Sequence, residues 1–453
     1  MKYLVKKIYP YVALMIVLSQ ASCSKDAFTG ANNNPNAPST VTPGNLLPGV
    51  ETSLAYIQGG DIARYTGLLT QQCFGFSRQS AAYYVYVFTS TDFDTPWGNM
   101  YTSVLGNNKD LLNKADAVGD NIYSGIGRVI MAYSLQMLVD EWGDVPYSEA
   151  LQGDAQNHPG YDKQDALYDT IISLLNVGIA QLGSTSTGGQ TPTTDDMIFG
   201  GDPSLWIKFA HAIKARIYIH QSKDNATMAS QALAEANLAM ADQSESAQFV
   251  FGTTETFSNP IYQFNEQRAD IDYGSGTYVD LLTGLNDPRL GLTADPTYSD
   301  VGEVGVGNYY GNINGHVEFI MYEEMEFLKA EATLRSSGNI ATAQSYYQNG
   351  ITASMQKLGI SDADINTYIT ANGTLPASVS DAIAAVSTQE YIALYMNPEV
   401  FTLWRRTNSP QLTPTAGTNG VPRRFLYPQT EYSLNGANTP QATLYAPKLF
   451  WDK

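Results

Sequence analysis

The chain has 453 residues and a formal net charge of −19, and it contains 30 tyrosines against 25 lysines and arginines. Its length provides ample material for a sizeable core. Nucleic acid is not an expected partner, because phosphate binding needs clustered cations that this acidic sequence lacks. Tyrosine rings are typical of surfaces that stack on a ligand and hydrogen-bond to it, although many of them are expected to fill helix interfaces.

Residues 1–22 have the pattern of a secretion signal. Three lysines precede an apolar run over residues 12–18, which is too short to span a bilayer as a helix. Small residues then precede Cys23, so the segment resembles a bacterial lipoprotein signal in which Cys23 becomes the acylated first residue. An ordinary cleaved signal with an incidental cysteine is the alternative. Residues 23–43 are rich in Asn, Pro, Ser and Thr, and we expect them to form a lipid-anchored tether.

Residues 44–453 show no boundary that forces a split, and we expect a single, mainly α-helical domain with little β structure. Apolar periodicity predicts helices at about 44–57, 61–74, 97–118, 122–142, 163–182, 204–221, 319–335, 381–396 and 398–406. The aromatic run over residues 83–88 alternates between two faces and is predicted to be extended. A loop-rich insertion is predicted at about 247–315, where turn motifs such as NDPRL are frequent.

The helix over residues 122–142 is predicted to lie at the centre of the domain. Its apolar residues cover more of the circumference than a surface helix shows. Gly143 and Pro146 predict a fixed end. The acids Asp140, Glu141 and Asp144 at that end form either a site or its scaffold, and we favour the scaffold because acids at helix ends commonly bind backbone amides.

Two segments have the spacing of a helix-turn-helix repeat. The small or aromatic positions of the second helices are Ala229, Leu233 and Ala236 in one segment and Ala343, Tyr347 and Gly350 in the other. Each segment follows an amphipathic helix, so both look like tetratricopeptide-type pairs. Because they are not in tandem, a regular solenoid is not expected.

The sequence lacks the common catalytic and metal-binding motifs. There is no HExxH, CxxC pair, GxSxG or P-loop motif. His211 and His220 lie nine positions apart on one predicted helix, which points them to opposite sides. We therefore predict no catalytic residues, no metal and no cofactor, although two carboxylates in a cleft would suffice for a glycosidase.

The motifs with which the chain resembles a known family span residues 23–452. They are DEWGDVPYSEAL, Trp97 with Tyr101, KARIYIH, NDPRL, EFLKAEATLR, YIALYMNPEVFTLWRR, RFLYPQTEYSLN and the terminal LFWD. Together they resemble the SusD/RagB family of Bacteroidetes nutrient-binding lipoproteins, in a divergent branch. The resemblance implies a helical, tetratricopeptide-like fold at the outer face of the outer membrane. It also implies delivery of oligosaccharides or other nutrients to a SusC-type, TonB-dependent transporter.

The resemblance also implies aromatic and polar ligand contacts. These are expected at Trp97, Asn99, Tyr101, Tyr83, Tyr84, Tyr309 and Tyr310. Two other readings stay open at this point: a tetratricopeptide-type adaptor that binds a peptide or protein, and a carboxylate-based glycoside hydrolase.

Overall fold

The computed structural model describes residues 41–295, 306–417 and 419–453. The predicted signal peptide, Cys23 and almost all of the tether lie outside the described residues. Residues from Pro43 onward form one compact unit. The described part of this unit is mainly helical, with four short strands, and this confirms the predicted fold class.

The helices and strands have the following bounds. The helices are α1 Pro43–Ile57, α2 Ala63–Leu69, α3 Arg78–Tyr84, α4 Asp94–Asn99, α5 Asn107–Val118, α6 Asn121–Trp142, α7 Gln164–Leu182, α8 Pro203–His220, α9 Ala226–Ala236, α10 Pro260–Gln267, α11 Thr277–Leu285, α12 Asn308–Gly311, α13 Tyr322–Ser337, α14 Ile340–Lys357, α15 Asp362–Asn372, α16 Val379–Ala393, α17 Glu399–Thr407 and α18 Gln429–Leu434. The strands are β1 Phe74–Gly75, β2 Ala247–Val250, β3 Ile271–Asp272 and β4 His316–Ile320. Two π-helical segments, Gln58–Ile62 and Met100–Gly106, join α1 to α2 and α4 to α5.

Helix α6 is the central element that the sequence predicted. Nearly all of its side chains are buried, including Leu135 and Trp142 with no exposed surface. The helix ends at Gly143, whose φ of 84° is positive although its ψ of −118° lies outside the left-handed helical region. By length and composition α6 could cross a membrane, but 89% of its most apolar window is buried within the protein. It is therefore the core helix of the domain.

The helices pack as a stack of neighbouring pairs. Helix α6 packs on α7, α7 on α8, α8 on α9, α9 on α13 and α13 on α14. The two predicted tetratricopeptide-type pairs, α8/α9 and α13/α14, are thus adjacent in space although a long insertion separates them in sequence. Gly350 on α14 permits close approach, because a Cβ there would lie 2.7 Å from the buried Phe327 ring of α13.

The segment between α9 and α13 leaves this stack. It contains β2, which pairs antiparallel with β4, together with α10, α11, α12 and β3. Its NDPRL motif is buried: the Arg289 guanidinium binds Asp287 at 2.6 Å, Ser354 at 3.0 Å and Gln389 at 2.7 Å. This motif holds the insertion against α14 and α16.

The aromatic run over residues 83–88 is not extended, contrary to the prediction. Residues Arg78–Tyr84 form α3, and a turn follows in which Tyr86 has a φ of 65°. The alternation of the sequence misled the prediction, because a short helix followed by a turn buries Tyr83, Tyr86 and Phe88. Tertiary packing here overrides the two-residue pattern.

Candidate functional site

A cleft of about 210 Å³ lies where the insertion meets the N-terminal helices. Its lining residues come from the α1–α2 connection, α2, α3, the start of α4, α10 and β3. They are Asp61, Arg64, Tyr65, Leu68, Gln79, Ser80, Tyr83, Thr91, Asp92, Thr95, Phe264, Arg268, Asp270 and Ile271. The volume is below the range of pockets for drug-sized ligands, so the cleft suits one small ring or one end of a longer molecule.

Two local structures bring these residues together. The π-helical segment before α2 has a kink at Gly60 (φ −93°, ψ −110°) and carries Asp61 to the cleft. Such π segments are frequent at functional sites. On the other side, β1 pairs antiparallel with β3, and the Phe76 amide donates to the Asp270 carbonyl at 3.2 Å. This short ladder fixes the backbone of β3 against α2 and α3.

One wall of the cleft combines a cation with an aromatic ring. The Arg64 guanidinium carbon lies 3.8 Å from the centroid of the Phe264 ring, a cation–π contact. A terminal nitrogen of the same guanidinium donates to Asp61, while its Nε is buried with no hydrogen-bond partner among the described residues. The Arg64 guanidinium thus covers one face of the Phe264 ring and keeps one buried donor without a protein partner among the described residues.

The opposite wall is built around Asp92. The Tyr83 hydroxyl donates to Asp92 Oδ1 at 2.5 Å, and the Thr89 amide donates to Oδ2 at 2.7 Å. The Tyr83 ring stacks on Phe88, with centroids 4.3 Å apart and planes 8° apart. Burial and the neighbouring carboxylate raise the pKa of Tyr83, so its hydroxyl stays neutral and donates at physiological pH.

Asp270 borders the cleft and has no hydrogen-bond partner for either carboxylate oxygen within the described part of the chain. Only 1% of its side chain is exposed. The nearest cation is Arg268, whose Nη2 lies 3.8 Å from Asp270 Oδ2 and 3.0 Å from the Gln79 side-chain oxygen. The cleft thus contains a buried carboxylate whose acceptor capacity is unused.

Among the residues that the sequence singled out, Tyr83 lines this cleft. Trp97 and Tyr101 lie outside its lining, in an aromatic cluster where their ring centroids are 5.0 Å apart. Trp97 is 3% exposed, and its indole N–H donates to Glu431 at 3.3 Å. The Tyr101 hydroxyl donates to the Pro146 carbonyl at 2.7 Å. Asn99 is exposed at the end of α4.

Tyr84 packs edge-on against Phe74, with centroids 4.8 Å apart, and is half-buried. The other two predicted tyrosines lie elsewhere: the Tyr309 and Tyr310 ring centroids are 5.6 and 5.8 Å from the buried Lys357 ammonium. Tyr309 also stacks on His316 at 4.5 Å. The structure therefore distributes the predicted aromatic residues over three places rather than one platform.

A second polar cluster is buried at the centre of the described region. Carboxylate and ring atoms of Asp140, His220 and Glu399 lie within 4.8 Å of one another. His220 Nε2 is 2.8 Å from Glu399 Oε1, and Nδ1 is 2.9 Å from the Tyr168 hydroxyl, which itself donates to Asp140. Both ring nitrogens must therefore donate, so His220 is an ion-paired imidazolium with no lone pair for a metal.

Sequence reasoning did not identify Arg64, Phe264, Arg268 and Asp270 as site residues. They lie about 200 positions apart in two segments, which the β1–β3 ladder and the contact of Arg64 with Phe264 bring together. The one usable signal was the high density of charged and aromatic residues in QFNEQRADIDY, which the turn-rich context of the insertion obscured.

The chain matches a family described as "Starch-binding associating with outer membrane" over residues 35–428. No curated protein sequence matches it significantly. The fold is shared with several solved structures at low sequence identity. A SusD/RagB family protein from Bacteroides thetaiotaomicron has a TM-score of 0.76 and 21% identity, and the alignment covers 91% of this chain and 99% of that one.

Two further similar structures come from other species. A chitin-binding SusD homologue from Flavobacterium johnsoniae has a TM-score of 0.73 and 19% identity, covering 90% of this chain and 98% of its own. A SusD homologue from Bacteroides uniformis has a TM-score of 0.71 and 20% identity, covering 91% and 99%. At these identities the likeness establishes the fold.

Proposed function

The chain belongs to the SusD-like family of starch-binding proteins associated with the outer membrane, and from this premise we propose that it is a non-enzymatic lipoprotein that captures an oligosaccharide at the cell surface. We further propose that it delivers this ligand to a SusC-type, TonB-dependent transporter and is held in the membrane through acylated Cys23.

The observation that carries the ligand proposal is the composition of the cleft. The Phe264 and Tyr83 rings line the cleft, and an aromatic ring can pack against the C–H side of a sugar. Arg64 and Arg268 provide donors for hydroxyl oxygens, and Asp270 accepts from hydroxyl groups. Nine of the fourteen lining residues carry charged, amide or aliphatic hydroxyl groups, and such a lining suits a ligand rich in hydroxyl groups.

We propose Tyr83 of the predicted residues as a contact in this cleft. Tyr84, Trp97, Asn99, Tyr101, Tyr309 and Tyr310 stay predictions as ligand contacts. The Trp97 and Tyr101 rings already use their polar atoms within the protein, and the Tyr309 and Tyr310 rings pack near a buried ion pair.

A binding role is favoured over hydrolysis by the state of the cleft carboxylates. A glycosidase needs one carboxylic acid free to protonate the glycosidic oxygen and a second carboxylate as base or nucleophile. Asp61 accepts from Arg64, and Asp92 accepts from Tyr83 and Thr89. Since these two carboxylates are occupied by donors, only Asp270 remains, and one group does not complete the pair.

The ligand is tested with the protein lacking residues 1–22 and Cys23 on a panel of hexasaccharides of glucose, xylose, mannose, N-acetylglucosamine and galacturonic acid. N-acetylglucosamine is included because one structural neighbour is described as chitin-binding. Calorimetry measures binding, and chromatography of the same samples measures cleavage. Saturable binding without cleavage supports the proposal. Cleavage would indicate a hydrolase, and binding of peptides alone would indicate an adaptor.

Arg268→Ala tests whether the cleft holds the ligand. The Arg268 side chain is 38% exposed, so its removal should leave stability nearly unchanged while glycan affinity falls about tenfold or more. Lys114→Ala is the matched control, because its side chain is 36% exposed on α5 and lies outside the cleft lining. Equal affinities of the two variants would exclude this cleft.

A further inference from the structure

The unpartnered carboxylate of Asp270 defines which glycans the cleft takes. We propose that Asp270 is a specificity-determining residue, which accepts hydrogen bonds from two neighbouring donors on one sugar ring. The cleft then takes neutral or amino-bearing sugars and rejects sugars that carry a carboxylate or sulfate at this position. This inference rests on the proposed glycan-binding function and deepens it.

Asp270 is in an energetically unfavourable position. A buried carboxylate normally has several hydrogen-bond donors, because an ionised group without them is costly in the protein interior. Asp270 Oδ1 and Oδ2 have none within the described residues. In the same cleft, Asp61 and Asp92 are both satisfied by protein donors. Asp270 is therefore the cleft carboxylate that finds no donor within the described part of the protein.

The backbone around Asp270 is held in place by neighbouring contacts. The Asp270 carbonyl accepts from the Phe76 amide, and the next residue, Ile271, is fully buried and pairs with Gly75. Tyr273 further along is also fully buried. Since the backbone is held on both sides, the direction in which the Asp270 side chain leaves the backbone is fixed. Recognition groups need this degree of preorganisation.

A gap separates the Asp270 carboxylate from the Arg268 guanidinium. The distance of 3.8 Å between Asp270 Oδ2 and Arg268 Nη2 is too long for a hydrogen bond. A hydroxyl oxygen placed at about 2.8 Å from each atom fits this gap, donating to the carboxylate and accepting from the guanidinium. Arg268 is the more exposed partner and can move aside to admit the sugar. Adjacent hydroxyls, or a hydroxyl beside an amino group, satisfy both carboxylate oxygens.

The charges around Asp270 determine which classes of ligand the cleft can bind. A second anion beside Asp270 would be repelled, because the cleft lining contains three carboxylates (Asp61, Asp92 and Asp270) against two guanidinium groups (Arg64 and Arg268). A metal ion is disfavoured, because Asp61 and Asp92 are already hydrogen-bonded within the protein and leave Asp270 as a single carboxylate ligand. A neutral or amino-bearing sugar meets no net repulsion in this cleft.

The test is the ratio of affinities for neutral and acidic hexasaccharides, because this ratio does not depend on the fraction of folded protein. The wild-type protein should bind at least one neutral or amino-bearing hexasaccharide about tenfold or more tightly than hexagalacturonic acid. Asp270→Asn keeps the size and one acceptor but removes the charge, so the ratio should fall about tenfold or more. Asp364→Asn, on an exposed position of α15 outside the cleft lining, is the control and should leave the ratio unchanged.

A second measurement covers the case in which Asp270→Asn does not fold. Wild-type protein is titrated with monodeoxy analogues of its preferred sugar, each lacking one hydroxyl donor. Removal of either of two adjacent donors should weaken binding about tenfold or more. A wild type that prefers the acidic glycan, an unchanged ratio in Asp270→Asn, or equal binding of all deoxy analogues would overturn the inference and leave the glycan-binding function intact. Failure of wild type to bind any glycan would remove both.

Discussion

At the scale of single residues, burial separates the aromatic groups that build the protein from those that face its cleft. Trp97 illustrates the first kind. Its ring contacts Trp142 at a centroid distance of 5.4 Å and Tyr161 at 6.4 Å, and its indole N–H is bonded to Glu431. Such a residue contributes packing and a satisfied polar atom, which is the usual state of a buried tryptophan.

Trp97→Ala is therefore expected to lower the free energy of unfolding by about 3 to 5 kcal/mol, as large-to-small changes of buried aromatic residues do. Chemical denaturation measures the change. Asn99→Ala is the control, because Asn99 is exposed on the same helix and its truncation should cost little. Unchanged stability together with weaker glycan binding would instead place the Trp97 ring against the ligand, as the sequence resemblance implies.

At the scale of helices and strands, close packing between α13 and α14 depends on the absence of a side chain at Gly350. The Phe327 ring has no exposed surface, so it cannot move to make room for an added methyl group. The same spacing was visible in the sequence as a tetratricopeptide-type signature. The signature therefore marks a real contact between the two helices of a pair.

Gly350→Ala should destabilise the protein by about 1 to 3 kcal/mol, the usual effect of overpacking. Gly49→Ala makes the same change at an exposed position of α1, where no atom lies within 4 Å of the added Cβ. There the gain in helix propensity should stabilise the protein by up to about 1 kcal/mol. Urea denaturation of both variants checks the pair, and effects of the same sign would contradict the proposed packing.

The elements differ in how far the sequence predicts them. Helix α6 was predictable, because its periodicity is continuous and Gly143 and Pro146 mark its end. Helix α3 was not, because its short run of tyrosines packs through a turn that the local pattern does not encode. The cleft was not predictable either, since it depends on a two-residue ladder between β1 and β3 that joins distant segments.

At the scale of the whole molecule, the imidazolium of His220 joins four helices. It is carried by α8, binds Glu399 of α17, and contacts Tyr168 of α7 and Asp140 of α6. Burial alone would lower the pKa of His220, but Glu399 and Asp140 together raise it to about 9. The cluster is therefore a charged centre for the helical stack.

This raised pKa predicts how stability depends on pH. Below about pH 6.5 the histidine is protonated in both the folded and the unfolded chain, so its ion pairs contribute fully. Between about pH 6.5 and 9 the unfolded chain has lost the proton, and the contribution, on the order of 3 kcal/mol, disappears as pH rises. Urea denaturation at pH 6.5 and pH 9 measures it.

Buried carboxyl groups also titrate in this pH range. Burial raises the pKa of Glu141 to about 8, so this group favours the unfolded state over an overlapping range. The variant His220→Gln isolates the contribution of the histidine. The difference in stability between wild type and His220→Gln should be large at pH 6.5 and small at pH 9. A difference that is the same at both pH values would mean that the cluster does not hold a charged histidine.

Attachment of the protein to the membrane is expected to depend on Cys23. Cys23 follows a short apolar run and precedes a polar tether, so the sequence predicts an acylated cysteine that links the helical domain to the bilayer. Several acyl chains on one residue bind far more strongly than the marginal attachment of a single chain. Cys23→Ala should therefore move the protein from the membrane fraction to the soluble fraction, with Cys73→Ala as the control because that thiol is free and buried.

The fractionation is done in cells that lack the proposed transporter, so that binding to a partner does not retain the protein. Retention of Cys23→Ala in the outer membrane under these conditions would contradict the lipid anchor and leave glycan binding by the cleft unaffected.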